Sequence, residues 1–244
     1  MDDIELARHL ARGAASILMD LRAAGTHEGK ALGAEGDLRA NTWLMAEIAA
    51  HRGADGVLSE ETKDTPARLS RARVWIIDPL DGTREYGEGR SDWAVHIGLA
   101  VEGVATLGAV ALPGLDLLLD SGAPLPLPPM AERPRLLVSR TRPAREAVIV
   151  SEVLGGELVP MGSAGAKAMA VVRGEAEIYL HSGGQFEWDN CAPVAVAAAA
   201  GLHVSRIDGA PLVYNQVDTY LPDLLICRHE WAKRVLDAVA AIEA

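Results

Sequence analysis

Asp78 and Asp81 lie close together in the segment Trp75-Ile76-Ile77-Asp78-Pro79-Leu80-Asp81-Gly82-Thr83. Three β-favouring residues run into an acid, proline restricts its own backbone and that of Asp78 and forces a turn, and a second acid follows with a Gly-Thr pair. Two carboxylates turned to one side, with the Leu80 carbonyl exposed between them, are hard oxygen ligands that suit magnesium or manganese better than zinc. The same residues also fit an Asx turn ahead of a helix cap. Further acids shift the balance, because Leu58-Ser59-Glu60-Glu61 precedes the segment and Glu187-Trp188-Asp189 follows it far along the chain. Clustered carboxylates without a cation repel one another and titrate high, so the three acidic groups read as a cation site. Two cations about 3.5–4 Å apart neutralise charge, align a water and stabilise a leaving oxygen, which is what attack on a phosphate ester requires. Gly82 and Thr83 at a helix start add N–H donors for phosphate oxygens.

The second half carries residues able to shape a pocket. Val138-Ser139-Arg140-Thr141-Arg142-Pro143 follows a strand, and its hydroxyls and guanidinium can grip a second phosphate. Gly162-Ser163-Ala164-Gly165-Ala166-Lys167 opens a helix with free N–H groups and a lysine, at a spacing that is not a Walker A loop. Each is equally readable as an ordinary capped helix start. Arg206 can reach a phosphate or serve the surface, and Tyr214 lies in the same turn-rich stretch.

The elements that must position these groups are legible in outline. Ile4, Leu6, Leu10, Ile17, Leu18 and Leu21 recur at helical spacing after Asp2 and Asp3. A second helix is expected over about Leu38 to His51, with Gly25 to Gly36 a loop and Asp37 at the junction. Strand-like runs follow at Val74–Ile77, Trp93–Val101, Ala105–Leu112 and Leu115–Leu119, with turn signals at Glu102-Gly103 and Pro113-Gly114. The proline-rich stretch Ser121 to Pro134 reads as a loop or internal boundary. Strands at Leu136–Val138, Leu158–Met161, Glu177–Leu180 and Leu224–Ile226 then alternate with helices from about Ala144, Ala166, Asp189 and Trp231. The expectation is an α/β (α+β) chain forming one unit over 1–244, with a metal-binding half over 1–125 and a pocket-forming half over 134–244.

With 244 residues, 49% hydrophobic, the chain has ample material for a core. A net charge of −11 and only 4% aromatic residues disfavour polymeric nucleic acid as a partner. Cys191 and Cys227 lack zinc or disulfide spacing. The acidic, amphipathic N-terminus is unlike a signal peptide, and no stretch approaches the roughly 20 apolar residues of a membrane span. The cytoplasm is the expected location.

Ser59-Glu60-Glu61, the segment 75–83 and Trp188-Asp189-Asn190-Cys191-Ala192-Pro193 together resemble, in order and separation, the three signature motifs of the inositol monophosphatase superfamily. The resemblance spans essentially the whole chain. It implies the layered α-β-α-β-α sandwich of the inositol monophosphatase and fructose-1,6-bisphosphatase type, often dimeric, and magnesium-dependent, often lithium-sensitive hydrolysis of a small phosphate monoester with two or three ions per site. Carried over, it makes Glu60, Asp78 and the Leu80 carbonyl ligands of one ion, and Asp78, Asp81 and Asp189 ligands of another. Glu60 and Thr83 orient the attacking water. Asp37 is the candidate partner of Thr83, although relatives have Lys and a Val-Thr-x-Ala-Asp run where this chain has Gly33-Ala34-Glu35-Gly36-Asp37; the alternative for Asp37 is a plain helix N-cap. The substrate contacts implied are Asp81, Gly82, Thr83, Ser139, Arg140, Gly162, Ser163, Lys167 and Asp189. Those second-half residues, with 163–171 and 214–225, look like the CysQ-type 3′(2′),5′-bisphosphate nucleotidases, particularly actinobacterial ones. That type removes the 3′-phosphate of 3′-phosphoadenosine 5′-phosphate in sulfate assimilation. An inositol-1-phosphate or broad sugar phosphatase is the alternative with the same chemistry. A non-catalytic metal-binding regulator would be expected to lack one of Glu60, Asp78, Asp81, Thr83 or Asp189, and all are present.

Overall fold

Helix α1 (Asp3–Ala24) starts at a reciprocal cap in which Asp2 accepts from the Glu5 N–H and Glu5 accepts from the Asp2 N–H. It ends at Gly25, whose left-handed backbone closes the last turn. The computed structural model describes residues 1–243. Helix α2 spans Gly29–Arg52, beginning well before the expected Leu38. Gly33 and Gly36 are therefore not loop residues but small positions on a buried helix face. A Cβ on Gly33 would stand 2.5 Å from Thr83 Cγ2, and one on Gly36 would meet Leu18, Tyr86 and Leu80 at 3.0–3.2 Å. Asp37 accordingly sits inside α2 and cannot be its N-cap.

The first sheet runs in chain order: β1 (Gly56–Ser59), β2 (Arg73–Asp81), β3 (Ala94–Val101), β4 (Val104–Leu112) and β5 (Leu117–Asp120). Only β1 and β2 are parallel. The one-turn helix α3 (Thr83–Gly87) follows β2. Glu102 and Gly103, both at positive φ, make the β3–β4 turn, and a 3-10 turn at Pro113–Leu115 joins β4 to β5.

The second sheet, ordered β7-β6-β8-β10-β9, is built from β6 (Arg135–Ser139), β7 (Glu157–Met161), β8 (Ile178–Phe186), β9 (His203–Ser205) and β10 (Tyr220–Cys227). Helices α4 (Arg145–Leu154) and α7 (His229–Glu243) cover one face; α5 (Ala164–Val172) and α6 (Glu187–Ala199) cover the other. Three cores define the layering. Leu6, Leu10, Leu44 and Ile48 pack on Trp75, Ile77 and Ile97 outside the first sheet. Val110 meets Met169, Val171 and Val196 between the sheets. Val150, Trp231 and Val235 close the second sheet against Leu136 and Leu225. The result is helices, sheet, helices, sheet, helices. Each fully buried Leu or Ile contributes roughly 1.5–3 kcal/mol.

Candidate active site

The acids of β2 emerge where its pairing with β3 slips. Asp78 opposes His96 and Asp81 opposes Ala94, so β2 uses one residue more than its partner. This is a β-bulge in a continuing strand, rather than the turn that Pro79 implied. The Asp78 carboxylate accepts the Leu80 N–H at 2.9 Å, an Asx turn that points its second oxygen elsewhere. Gly82 follows at φ 86°, a left-handed conformation that suits glycine, and the Thr83 hydroxyl donates to the Leu80 carbonyl at 3.1 Å. Asp37, on α2, lies near enough for the same hydroxyl to favour its ionised form, and Gly33 of α2 abuts the Thr83 side chain. Glu60 stands just past β1. Asp189 lies in the first turn of α6, where its carboxylate accepts the Phe186 N–H at 2.6 Å. Asp78, Asp81 and Asp189 each offer an oxygen, all within 4.8 Å of one another.

Burial and mutual repulsion act strongly on this group. Burial, then Glu60 and Asp81, push Asp78 well above the usual carboxylate range. Burial and Asp81 raise Asp189 to about 7. Desolvation, then the charges of Asp189 and Asp81, raise Glu60 to about 8. Burial and Glu61 raise Asp37 to about 7. Burial also pushes Asp81 upward, but His96, Ser163 and Gly165 outweigh it and hold Asp81 low. Converging hard oxygens, of which those of Asp78 and Asp189 resist ionisation without a counter-charge, fit a hard divalent cation.

Asp81 Oδ2 accepts from the Ser163 hydroxyl at 2.5 Å and the Gly165 N–H at 2.6 Å, so this carboxylate occupies the start of α5. His96 Nε2 stands 3.2 Å from the same oxygen. The Lys167 ammonium, buried and lowered to about 8 by desolvation, donates to the carbonyls of Gly162 and Ser163. Asp81, Gly162, Ser163 and Lys167 border a cleft of about 250 Å³ that Gly82, Ser139, Arg140 and Asp189 also line. Ser139 Oγ accepts the Arg142 N–H at 3.3 Å. Arg140 is held by Glu85 and Asp92, and Asp92 also takes the Gly162 N–H at 2.7 Å. Arg206 is outside the cleft, locked on Asp223 by two short bonds of 2.5–2.6 Å. Tyr214 is buried, its hydroxyl donating to Asn190 at 2.9 Å. A larger apolar groove of about 1030 Å³ lies between α1 and α2, away from the acids. His96, Glu85 and Asp92 were not singled out from sequence. His96 had one signal, a lone ionisable residue within the apolar run Ala94–Val101.

Residues 2–243 match the model of the inositol monophosphatase family. The chain belongs to that family. Among curated relatives, a Mycobacterium tuberculosis protein named 3′-phosphoadenosine 5′-phosphate phosphatase is 47% identical over 241 residues, covering 93% of this chain and 89% of the relative. A Mycobacterium leprae protein of the same name is 45% identical, covering 99% and 95%. The inositol monophosphatase family fold is recovered in the crystal structure of CysQ from Bacteroides thetaiotaomicron, at a TM-score of 0.83 with 23% identity, covering 93% of this chain and 97% of that one. Among the described residues, no helix is long and apolar enough to cross a membrane.

Proposed function

We propose that this chain is a magnesium-dependent phosphatase that removes the 3′-phosphate of 3′-phosphoadenosine 5′-phosphate. The observation that carries the chemistry is the convergence of Asp78, Asp81 and Asp189 beside a cleft lined by hydroxyls and cations. The substrate follows from the mycobacterial relatives, whose likeness spans 93–99% of this chain at 45–47% identity. Asp78, Asp81, Asp189, Glu60 and the Leu80 carbonyl would hold the ions, with manganese as a substitute. Magnesium there supplies the positive charge that a dianionic phosphoryl group and its leaving oxygen need, and acidifies a water.

The chain's own residues orient and accept. The Thr83 hydroxyl donates its one proton to the Leu80 carbonyl, with the Asp37 carboxylate close by as an alternative acceptor. Transfer of that hydrogen bond to Asp37 would free the Leu80 carbonyl to serve as a ligand and leave the threonine oxygen able to accept from a water. Glu60 is the second group able to take a hydrogen bond from that water. Lys167 and Ser139 supply positive charge and a hydroxyl at the cleft. The packing of α5 and α6 between both sheets supports reading 1–244 as one unit with its metal-binding half over 1–125 and pocket half over 134–244.

The pairing of Arg140 with Glu85 and Asp92 favours a second reading, an inositol or sugar phosphatase that needs no second anion. Phosphate release from 3′-phosphoadenosine 5′-phosphate and inositol 1-phosphate, measured side by side with magnesium and with lithium as a control, separates the two. The nucleotide is expected to lead in kcat/KM by about a hundredfold, ~2.7 kcal/mol. Comparable or reversed values give the second reading.

A further inference from the structure

His96 is fully buried on β3, directly opposite Asp78 in the strand register. Its two nitrogens face two different parts of the acid cluster. Nδ1 donates to the Trp188 carbonyl at 3.0 Å, since a carbonyl can only accept. That carbonyl belongs to the first turn of α6, one residue before Asp189. Nε2 stands 3.2 Å from Asp81 Oδ2, a close approach that lacks hydrogen-bond alignment, so the ring packs against this oxygen. Helix α5 is fitted to the ring edge, because a Cβ on Gly165 would stand 2.0 Å from Nε2. Ser163 and Gly165 also bond Oδ2, and among the described residues no hydrogen bond reaches Oδ1 of Asp81.

We infer that His96 is a positioning residue for the cation held by Asp78, Asp81 and Asp189, a rigid strut that fixes the start of α6 relative to the end of β2. The inference rests on the metal assignment proposed above. A planar ring with no freedom along its length sets the separation between Asp81 and the turn carrying Asp189. The two ligands come from different halves of the chain, joined here by one side chain.

The test is direct binding of Mn²⁺ to the full-length protein, followed by the electron paramagnetic resonance signal of the free ion, with no substrate present. The wild type is expected to bind two ions. His96→Ala is expected to weaken one of them by about tenfold to a hundredfold, the usual cost of losing a group that holds a ligand, and to leave the other within about threefold. His96→Asn keeps a donor at the Nδ1 position and His96→Gln keeps one at the Nε2 position, so each should recover part of the loss. These two variants carry the test if the alanine variant does not fold. Two Mn²⁺ ions bound with wild-type affinity by folded His96→Ala, or by both conservative variants, would overturn the inference. A wild type that binds no Mn²⁺ would overturn the metal assignment itself, and a shift confined to melting temperature would reduce His96 to a core residue.

Discussion

At the scale of single residues, Asp81 is held most tightly. Three groups converge on Oδ2, and among the described residues no protein hydrogen bond reaches Oδ1; Asp78 and Asp189 each bring an oxygen within 4.8 Å of the Asp81 carboxylate. Asp81→Asn conserves volume, and an amide oxygen can still accept from Ser163 and Gly165. Its NH₂ then faces the proposed cation in place of an anionic oxygen. The variant should keep its melting temperature within a few degrees and lose on the order of 100-fold or more in kcat, at least ~2.7 kcal/mol of barrier. Phosphate release at saturating magnesium measures it, and undiminished turnover would remove Asp81 from the ligand set. Arg140 gives the contrasting case. Its guanidinium is already satisfied by Glu85 and Asp92, so a second phosphate must displace a carboxylate to reach it. Glu85→Gln weakens that competition and should lower KM for the bisphosphate several-fold, roughly 1 kcal/mol, with inositol 1-phosphate little affected; equal changes for both substrates would take Arg140 out of substrate selection.

At the scale of elements, the contact between α2 and α3 sets the Asp37–Thr83 pair. Ala at position 33 would put a methyl 2.5 Å from Thr83 Cγ2 and 3.3 Å from its carbonyl oxygen. Overpacking costs about 1–3 kcal/mol, and the better helix propensity of Ala returns about 1 kcal/mol. Gly33→Ala should therefore change thermal stability modestly while lowering kcat about tenfold, with KM nearly constant; wild-type kcat in steady-state assays would detach this helix contact from turnover. The same contact shows why sequence reading faltered here. Gly33 and Gly36 resemble loop residues when only local propensity is weighed, and their role depends on Thr83, Leu80 and Tyr86, distant in sequence. The short strand β9 escaped notice for a similar reason, being only His203–Ser205 and held by β10. By contrast, the meeting of Asp78, Asp81 and Asp189 was legible, because acids are costly to bury together and three acidic clusters in one chain invite a common purpose. The partners of Arg140 were not, since Glu85 and Asp92 look like ordinary surface charges until the fold brings them to β6.

At the scale of the whole molecule, the buried acids tie stability to pH. Asp37, Glu60 and Asp189 ionise at about 7, 8 and 7 in the folded chain without metal, against about 4 when unfolded. The folded chain thus binds more protons than the unfolded chain between about pH 4 and 8, and its stability must fall as pH rises through that window. Melting curves of metal-free protein should show Tm decreasing from about pH 5 to 8, with the gain on adding magnesium growing over the same range. A flat metal-free profile would mean that these carboxylates are not repelling one another. The sequential order of the first sheet has a further result. Its strands pair with their neighbours along the chain from Gly56 to Asp120, which closes only short loops. Glu60, Asp78 and Asp81 can therefore be assembled during synthesis before Asp189 has left the ribosome. The proposed cation site would become complete only when α6 docks, so a bound cation would act as a seal on the finished chain, slowing its opening more than it hastens its formation.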